Sequence, residues 1–213
     1  ESITDITRNP DCKIYRLTDE IVNAVVRCRS ITHRLLYFSS RMEPSNEAMD
    51  LNELIREVLR VLNHAFLERQ ARVDLDLTDD LPFLHADRGL LQQALFNLFN
   101  NAVEAIPVKG KILVSTRMES VKTEDLEQLE GSGTVFVINI EDNGEGISRE
   151  NLEHIFEPFY TTRIGYGTGL GLSITYGIIQ KLGGRIRVES ELGKGTRFII
   201  YLPMRTIPTR AMP

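Results

Sequence analysis

Paired cysteines, clustered basic residues and long apolar runs are all missing from this sequence, and each absence removes a class of protein. Cys12 and Cys28 are the only cysteines, too few for a disulfide framework and not spaced as zinc ligands. Asp and Glu outnumber Lys and Arg by 30 to 25 without any basic cluster, which argues against a nucleic-acid partner. No apolar run approaches the roughly 20 residues that cross a bilayer, and no signal peptide is visible. We therefore expect a soluble chain from a reducing cytoplasm that makes no membrane contact itself; a membrane anchor elsewhere in a parent protein is compatible with this.

Length and pattern together predict a small helical element followed by one larger domain. The 213 residues, 42% of them apolar, provide material for a real core. Over residues 15–42 apolar side chains recur at spacings of three and four and form a long stripe: Leu17, Ile21, Val25, Cys28, Ile31, Leu35 and Phe38. One helix cannot bury such a stripe alone, so we expect it to pair with other helices. We place this helix and its linker in residues 1–45, the larger domain in 46–205 and a tail in 206–213.

Helix and strand patterns alternate through the larger domain. After a predicted linker over 41–48, Asp50 and Asp87 serve as N-cap residues for helices that run to Arg69 and Ile106. Strict alternation over 73–77 predicts a half-buried strand. The remaining predicted elements are strands at 111–118, 134–141, 185–191 and 196–202, an exposed loop at 119–133, and a helix at 172–182 that stops at Gly183-Gly184. This order predicts an α+β fold, an α/β two-layer sandwich with the helices on one face of a mixed sheet.

The first candidate segment for chemistry lies on the helix that follows Asp87. Asn97, Asn101 and Ala105 are four residues apart and therefore share one helix face. The residues of the opposite, core-facing side are Leu91, Leu95, Leu98 and Ala102. An amide oxygen is a hard ligand that can hold Mg²⁺ while phosphates complete the coordination shell. Two asparagines on a helix are more often plain surface residues, so this segment alone is weak support for a metal site.

Two glycine-rich segments follow. Asp142 ends a predicted strand and precedes Asn143-Gly144-Glu145-Gly146-Ile147. The glycines let a ligand approach bare backbone, and Asp142 can accept a hydrogen bond from an exocyclic amine. The alternative is an ordinary Asp-Asn-Gly turn without a ligand. The stretch from Gly165 to Leu172 precedes a helix, so its N–H groups form an anion site. No Gly-Lys-Ser/Thr follows it, which excludes a Walker loop. It also lacks the first-turn position and downstream acid of a dinucleotide fingerprint.

Together these segments resemble the nucleotide-binding boxes of sensor histidine kinases, and the NtrB-like kinases most closely. The resemblance covers about residues 50–203. The similar segments are Asn97 to Ala102 for the N box, Asp142 to Gly146 for the first glycine box, Phe156 to Thr162 for the F box, Gly167 to Leu172 for the second glycine box, and Gly195 to Phe198 for the strand that lines the adenine pocket. The resemblance implies the Bergerat fold, shared with gyrase and the mismatch-repair ATPases, and ATP and Mg²⁺ as ligands.

The same resemblance implies roles for individual residues. Asp142 would bind adenine, Asn101 would ligate Mg²⁺, and residues 156–168 would form a mobile lid from which Arg163 reaches a phosphate. The whole implied ATP-binding set is Asn97, Asn101, Ala105, Asp142, Gly144, Gly146, Ile147, Thr161, Thr162, Arg163, Gly167, Thr168, Gly169, Leu170, Gly171, Leu172 and Thr196. Many histidine kinases carry Lys or Arg where this chain has Glu104, so the metal, backbone dipoles and lid residues would have to neutralise the phosphates.

Within this resemblance, the residue type at position 97 distinguishes kinases that transfer the phosphoryl group from relatives that hydrolyse ATP. The ATP-splitting relatives carry a Glu four residues before the metal-binding Asn, and that Glu activates water. This chain has Asn97 there, and an amide is a far poorer base, so hydrolysis should be slow. The phosphoryl group would then be held for another nucleophile, which needs mainly positioning and charge neutralisation.

The histidine that such a kinase phosphorylates is not recognisable here. His33 lies in a segment that resembles the second helix of a dimerisation hairpin, but no acidic residue follows it. The other three, His64, His85 and His154, are expected to be plain surface or boundary residues. The resemblance therefore implies a protein-histidine kinase of a two-component phosphorelay whose acceptor His lies outside this chain. Its implied partners are a second copy of the parent protein, through the hairpin, and the receiver domain of a response regulator.

Two other functions stay open at this point. An anti-sigma-type Ser/Thr kinase shares the Bergerat fold but lacks the dimerisation hairpin. A degenerate nucleotide-sensing or dimerisation module is disfavoured because Asn101, Asp142 and the glycines are all present. A eukaryotic-type protein kinase is excluded, since its catalytic-loop and metal-binding motifs are absent.

Overall fold

The computed structural model of the chain describes residues 45–120, 133–162 and 168–204. The helix predicted over 15–42 lies outside these residues, as do Arg163 and Gly167 of the predicted nucleotide site. Within the described residues, no helix is long and apolar enough to cross a bilayer.

The strands of the described residues form two sheets. Their bounds are β1 Glu47–Met49, β2 Arg72–Leu77, β3 Leu84–Ala86, β4 Lys111–Ser120, β5 Thr134–Asp142, β6 Arg185–Glu191 and β7 Gly195–Pro203. Five of them form a mixed sheet in the order β2-β4-β5-β7-β6, in which β2 and β4 are parallel and the other neighbours antiparallel. The short strands β1 and β3 form a separate antiparallel pair.

The helices begin and end largely where the capping signals predict. Their bounds are α1 Leu51–Val61, α2 Asn63–Glu68, α3 Arg88–Ala105, α4 Arg149–Leu152 and α5 Gly171–Lys181. The Asp50 carboxylate accepts a hydrogen bond from the backbone N–H of Glu53 at 3.0 Å, and Asp87 accepts one from Leu90 at 2.9 Å. Both N-cap predictions are confirmed, because each side chain satisfies an N–H that lacks a partner within its helix. Just beyond α5, Gly183 adopts the left-handed conformation with φ 74°, as a glycine stop does.

Two local predictions were wrong, and one short helix of the described residues was not predicted. The helix predicted to run from Asp50 to Arg69 is broken at Leu62, whose ψ of 2° departs from helical geometry while its side chain stays buried. The predicted linker over 41–48 contains the start of β1, and the four-residue helix α4 has no counterpart in the prediction. Elements of three or four residues are too short to show a periodic pattern, which is why the sequence did not reveal them.

The alternation over 73–77 gives a strand as predicted, but its burial is uneven. Val73 and Leu77 pack against the core, whereas Leu75 on the same face is 45% exposed. Since β2 is an edge strand, the helices cover only part of it.

The main hydrophobic core lies between the helices and one face of the five-stranded sheet. Side chains without any exposed area come from both layers: Leu54 and Ile55 of α1, Leu91, Leu95, Leu98 and Phe99 of α3, and Phe136 and Ile138 of β5. Burial of each such side chain contributes roughly 1.5–3 kcal/mol to folding. Val135, Val137 and Ile199 form a smaller cluster on the opposite face. This is the predicted α/β two-layer sandwich.

Candidate functional site

The polar face of α3 is directed towards the beginning of α5. The Nδ2 atom of Asn97 donates a hydrogen bond to the carbonyl oxygen of Gly171 at 3.3 Å and lies 3.5 Å from the hydroxyl of Thr175. Asn97 is 8% exposed, whereas Asn101 and Ala105 on the same face are half-buried. The opposite face is buried in the core, as predicted, so α3 presents an apolar side to the core and a polar side towards the start of α5.

Asp142 lies at the end of β5 and is held by backbone groups. Its Oδ1 accepts hydrogen bonds from the N–H groups of Gly144 at 2.8 Å and Thr196 at 3.3 Å, and the residue is only 6% exposed. A Cβ atom on Gly195 would lie 1.9 Å from the carbonyl oxygen of Asp142. The position of this carboxylate therefore depends on a close approach that only glycine permits.

The turn after Asp142 joins the end of α3 to the β6–β7 hairpin. The N–H of Glu145 donates to the carbonyl oxygen of Ala105 at 3.1 Å, and the carbonyl oxygen of Glu145 accepts from Gly193 at 2.7 Å. Gly146 has φ 69°, and a Cβ atom there would lie 2.1 Å from the Glu191 carbonyl oxygen. The first glycine segment thus connects three parts of the fold that are far apart in sequence.

The second glycine segment leads directly into α5. Gly169 has φ 64°, and its carbonyl oxygen accepts a hydrogen bond at 2.9 Å from the N–H of Phe159, which also has a positive φ of 68°. Leu170 is the N-cap residue of α5 and makes no side-chain capping bond. Within residues 45–120, 133–162 and 168–204, no atom would lie within 4 Å of a Cβ atom on Gly171, so these residues leave space beside the first turn of α5. An uncapped helix N-terminus beside open space is suited to bind an anion.

The segment before this loop is organised around aromatic residues. Phe156 packs against Tyr176 of α5 with ring centroids 5.2 Å apart, and the Tyr160 hydroxyl donates to Asn151 Oδ1 at 2.7 Å. His154 Nδ1 lies 2.8 Å from Glu157 Oε1, and this hydrogen bond and the charge of Glu157 raise the pKa of His154 above its ordinary value. The first contact places the segment against α5, and the other two hold the segment together.

The predicted site residues fall into three groups. The first group comprises Asn97, Asn101 and Ala105 on α3, Asp142, Gly144, Gly146 and Ile147 after β5, and Thr196 on β7. Within it, hydrogen bonds join Asp142 to Gly144 and Thr196, and the carbonyl oxygen of Ala105 to the N–H of Glu145. Thr168 to Leu172 lie beside them at the start of α5 and are half-buried. Thr161 and Thr162 are exposed.

Sequence reasoning did not identify Ser190 of β6. Its hydroxyl accepts a hydrogen bond from the N–H of Ile147 at 2.8 Å and lies 2.9 Å from the hydroxyl of Thr196. The alternation Ile186, Val188, Ser190 places a polar residue on the core-facing side of a strand. This polar residue at an otherwise apolar position of the alternation is visible in the sequence and could have identified Ser190.

Chemically, this region combines a carboxylate, an amide and a helix N-terminus without a side-chain cap. A carboxylate such as that of Asp142 can accept hydrogen bonds from an amine, and a helix N-terminus favours negative charge. A ligand with an amine at one end and phosphates at the other fits this arrangement.

The chain is similar to known proteins in sequence and in structure. Residues 86–206 match the family described as histidine kinase-, DNA gyrase B-, and HSP90-like ATPase. The sensor kinase CckA of Brucella abortus is 40% identical over 182 residues, which make up 83% of this chain and 19% of CckA. The chain therefore spans about a fifth of the length of that curated relative.

Two solved structures of histidine kinase ThkA resemble the chain as well. The ThkA catalytic domain is 32% identical, with a TM-score of 0.62 over 75% of this chain and 95% of that domain. ThkA in complex with the response regulator protein TrrA is 26% identical, with a TM-score of 0.72 over 95% of this chain and 55% of ThkA.

Proposed function

The chain belongs to the family of histidine kinase-, DNA gyrase B-, and HSP90-like ATPases, and from this premise we propose that it is the ATP-binding catalytic part of a two-component sensor histidine kinase. The proposal rests mainly on Asp142, because its carboxylate is buried at the end of a strand and lies beside glycine backbone without side chains. The adenine amine would donate to Asp142. The phosphates would lie at the first turn of α5, where Gly169, Leu170, Gly171 and Leu172 offer backbone N–H groups and helix-dipole charge.

Magnesium fits the polar face of α3. Asn101 is half-buried on that face, between Asn97 and Ala105, and its amide oxygen is a hard ligand of the kind Mg²⁺ accepts. In the described part of the chain, no group of three or more His, Cys, Asp or Glu could hold a metal ion. We therefore propose that Asn101 holds Mg²⁺ and that the ATP phosphates complete its shell, so metal and nucleotide would bind together.

The environment of Asn97 supports phosphoryl transfer rather than hydrolysis. Its Nδ2 donates towards Gly171 and Thr175, and an amide cannot take a proton from water as a carboxylate does. Water at this position would not be activated. The γ-phosphoryl group would persist until a better nucleophile arrives.

That nucleophile would be a histidine outside this chain. His64 and His154 are exposed surface residues of the described part and belong to no acidic acceptor box. The phosphoryl group would pass from the external histidine to an Asp of a response-regulator receiver domain, a partner of the kind recorded in the ThkA–TrrA complex. We further propose an NtrB-like parent protein that dimerises through a helical hairpin, with the hairpin helix and linker in residues 1–45, the catalytic domain in 46–205 and a tail in 206–213.

Calorimetric titration with a non-hydrolysable ATP analogue, with and without Mg²⁺, tests the proposal. We expect saturable, Mg²⁺-dependent binding that weakens at least about tenfold in Asp142→Asn, because the adenine amine then meets an amide instead of a carboxylate. Asp76→Asn is the matched control, since Asp76 is exposed on the edge strand β2 of the same sheet. Absence of binding by the unmodified chain, or an equal effect of both variants, would contradict the proposed site.

A further inference from the structure

Ser190 makes three polar contacts, and together they determine where its hydrogen lies. Its Oγ accepts from the Ile147 N–H at 2.8 Å, lies 2.9 Å from the Gly195 carbonyl oxygen and 2.9 Å from Thr196 Oγ1. A hydroxyl has one hydrogen to donate and two lone pairs to accept. Since a carbonyl has no hydrogen, Ser190 must donate its own to Gly195. The hydrogen between the two hydroxyls must therefore come from Thr196.

This assignment makes the Thr196 hydroxyl an acceptor towards any further partner. Its hydrogen is directed at Ser190, so only lone pairs remain for a ligand. Thr196 pairs with Asp142 across β5 and β7, and its N–H donates to Asp142 Oδ1 at 3.3 Å. Both residues lie on the helix-covered face and are 5% and 6% exposed. A ligand that reaches Asp142 and Thr196 thus meets a carboxylate and a hydroxyl that both accept.

We propose that Ser190 is a positioning residue that makes the site select a 6-aminopurine nucleotide over a 6-oxopurine nucleotide. The inference rests on the proposed function, because it takes the base to lie against Asp142. A 6-amino group supplies N–H donors to these acceptors, whereas a 6-oxo group brings its own lone pairs against those of Thr196. Discrimination of this kind is strong when a mismatched ligand leaves buried polar groups without partners.

The test is the ratio of affinities for ATP and inosine triphosphate, which carries a 6-oxo group and an N1–H, measured by calorimetry in Mg²⁺ buffer. For the unmodified chain we expect ATP to bind at least about tenfold more tightly. Ser190→Ala removes the acceptor of the Thr196 hydrogen, so the hydroxyl can turn and donate to the 6-oxo group. The preference for ATP should then fall about threefold to tenfold. A merely structural role would weaken both nucleotides equally, and an unchanged ratio would overturn the proposal.

Two comparisons locate the effect in the Thr196 hydroxyl. Ser115→Ala is the matched control, since Ser115 accepts from Asn139 at 3.0 Å on the opposite face of the sheet, and it should leave the ratio unchanged. In a Thr196→Val background, Ser190→Ala should not change the ratio further, because no hydroxyl is left to turn. If Ser190→Ala lowered the preference for ATP as much in the Thr196→Val background as in the unmodified chain, Ser190 would not act through the Thr196 hydroxyl.

The remaining outcomes are also decisive. If circular dichroism shows that Ser190→Ala does not fold, Ser190→Cys replaces it, because a thiol is a weak donor and acceptor, and the same fall in the ratio is expected. An unmodified chain that binds neither nucleotide would refute the proposed function and this inference with it. Tight ATP binding with an unchanged ratio would refute only the role of Ser190.

Discussion

The side-chain amide of Asn97 donates a hydrogen bond to the carbonyl oxygen of Gly171, 3.3 Å away, and so ties the middle of α3 to the first residue of α5. Asn97 is 8% exposed, and Thr175, whose hydroxyl lies 3.5 Å from the same amide nitrogen, has no exposed area. The contact therefore stabilises the fold and at the same time positions the helix N-terminus to which we assign the phosphates.

Asn97→Ala should lower the free energy of unfolding by about 1–3 kcal/mol, because a buried amide and its hydrogen bonds are lost. Urea denaturation followed by circular dichroism measures this. Asn100→Ala is the matched control: Asn100 bonds Glu104 on the exposed face of α3, and its loss should cost no more than about 0.5 kcal/mol. Equal effects of the two variants would contradict the structural role of Asn97.

The β6–β7 hairpin offers a paired test of backbone crowding. Gly193 has φ 79° with open space around a Cβ atom, whereas Gly195 has φ 114° and a Cβ atom would lie 1.9 Å from the Asp142 carbonyl oxygen. Gly193→Ala should cost about 1–2 kcal/mol from the left-handed backbone alone. Gly195→Ala should cost at least about 3 kcal/mol, since strain and overpacking add, and it should also weaken nucleotide binding. Chemical denaturation of both variants measures which one loses more free energy of unfolding. A Gly195→Ala protein as stable as the Gly193→Ala protein would refute the predicted crowding at Gly195.

The raised pKa of His154 predicts a pH dependence with a defined sign. The hydrogen bond and charge of Glu157, and to a smaller extent the charge of Glu153, favour the protonated ring in the folded state. The stability that this pair contributes is fully present below the ordinary pKa of about 6.5 and is lost as the pH rises through the folded-state pKa.

Glu157→Gln should therefore lower the pKa of His154 towards its ordinary value, as followed by an NMR titration of the ring protons. Glu153→Gln is the control and should lower that pKa less, because Glu153 acts through its charge alone. A Glu157→Gln protein whose His154 titrates unchanged would show that the 2.8 Å contact does not form in solution.

The position of the acceptor histidine gives a fourth prediction. Incubated with γ-labelled ATP and Mg²⁺, this chain should acquire no acid-labile phosphate, because we assign the acceptor to a helix outside it. Labelling is measured by filter binding after acid and alkali treatment. An acid-labile label that disappears in His33→Gln would place the acceptor inside the chain instead.

The sequence by itself determined the elements whose signals are local. Asp50 and Asp87 begin helices because an Asp side chain caps the N–H groups beside it, and Gly183 follows a helix end because glycine tolerates a positive φ. Strand alternation and the order of the glycine segments likewise depend on residues close in the chain. These local signals were sufficient to predict the two-layer fold and the family of the chain.

Only the tertiary structure decided relationships between distant segments. The β1–β3 pair joins residues 35 to 39 positions apart through strands too short to show a period, and the exposure of Leu75 follows from the edge position of β2. The contact of Asn97 with Gly171 depends on how α3 meets α5, and the bond from the Ile147 N–H to the Ser190 hydroxyl depends on how the turn after β5 meets β6. Periodicity reports which side of an element is buried, but it carries no information about which atoms of another element that side will meet.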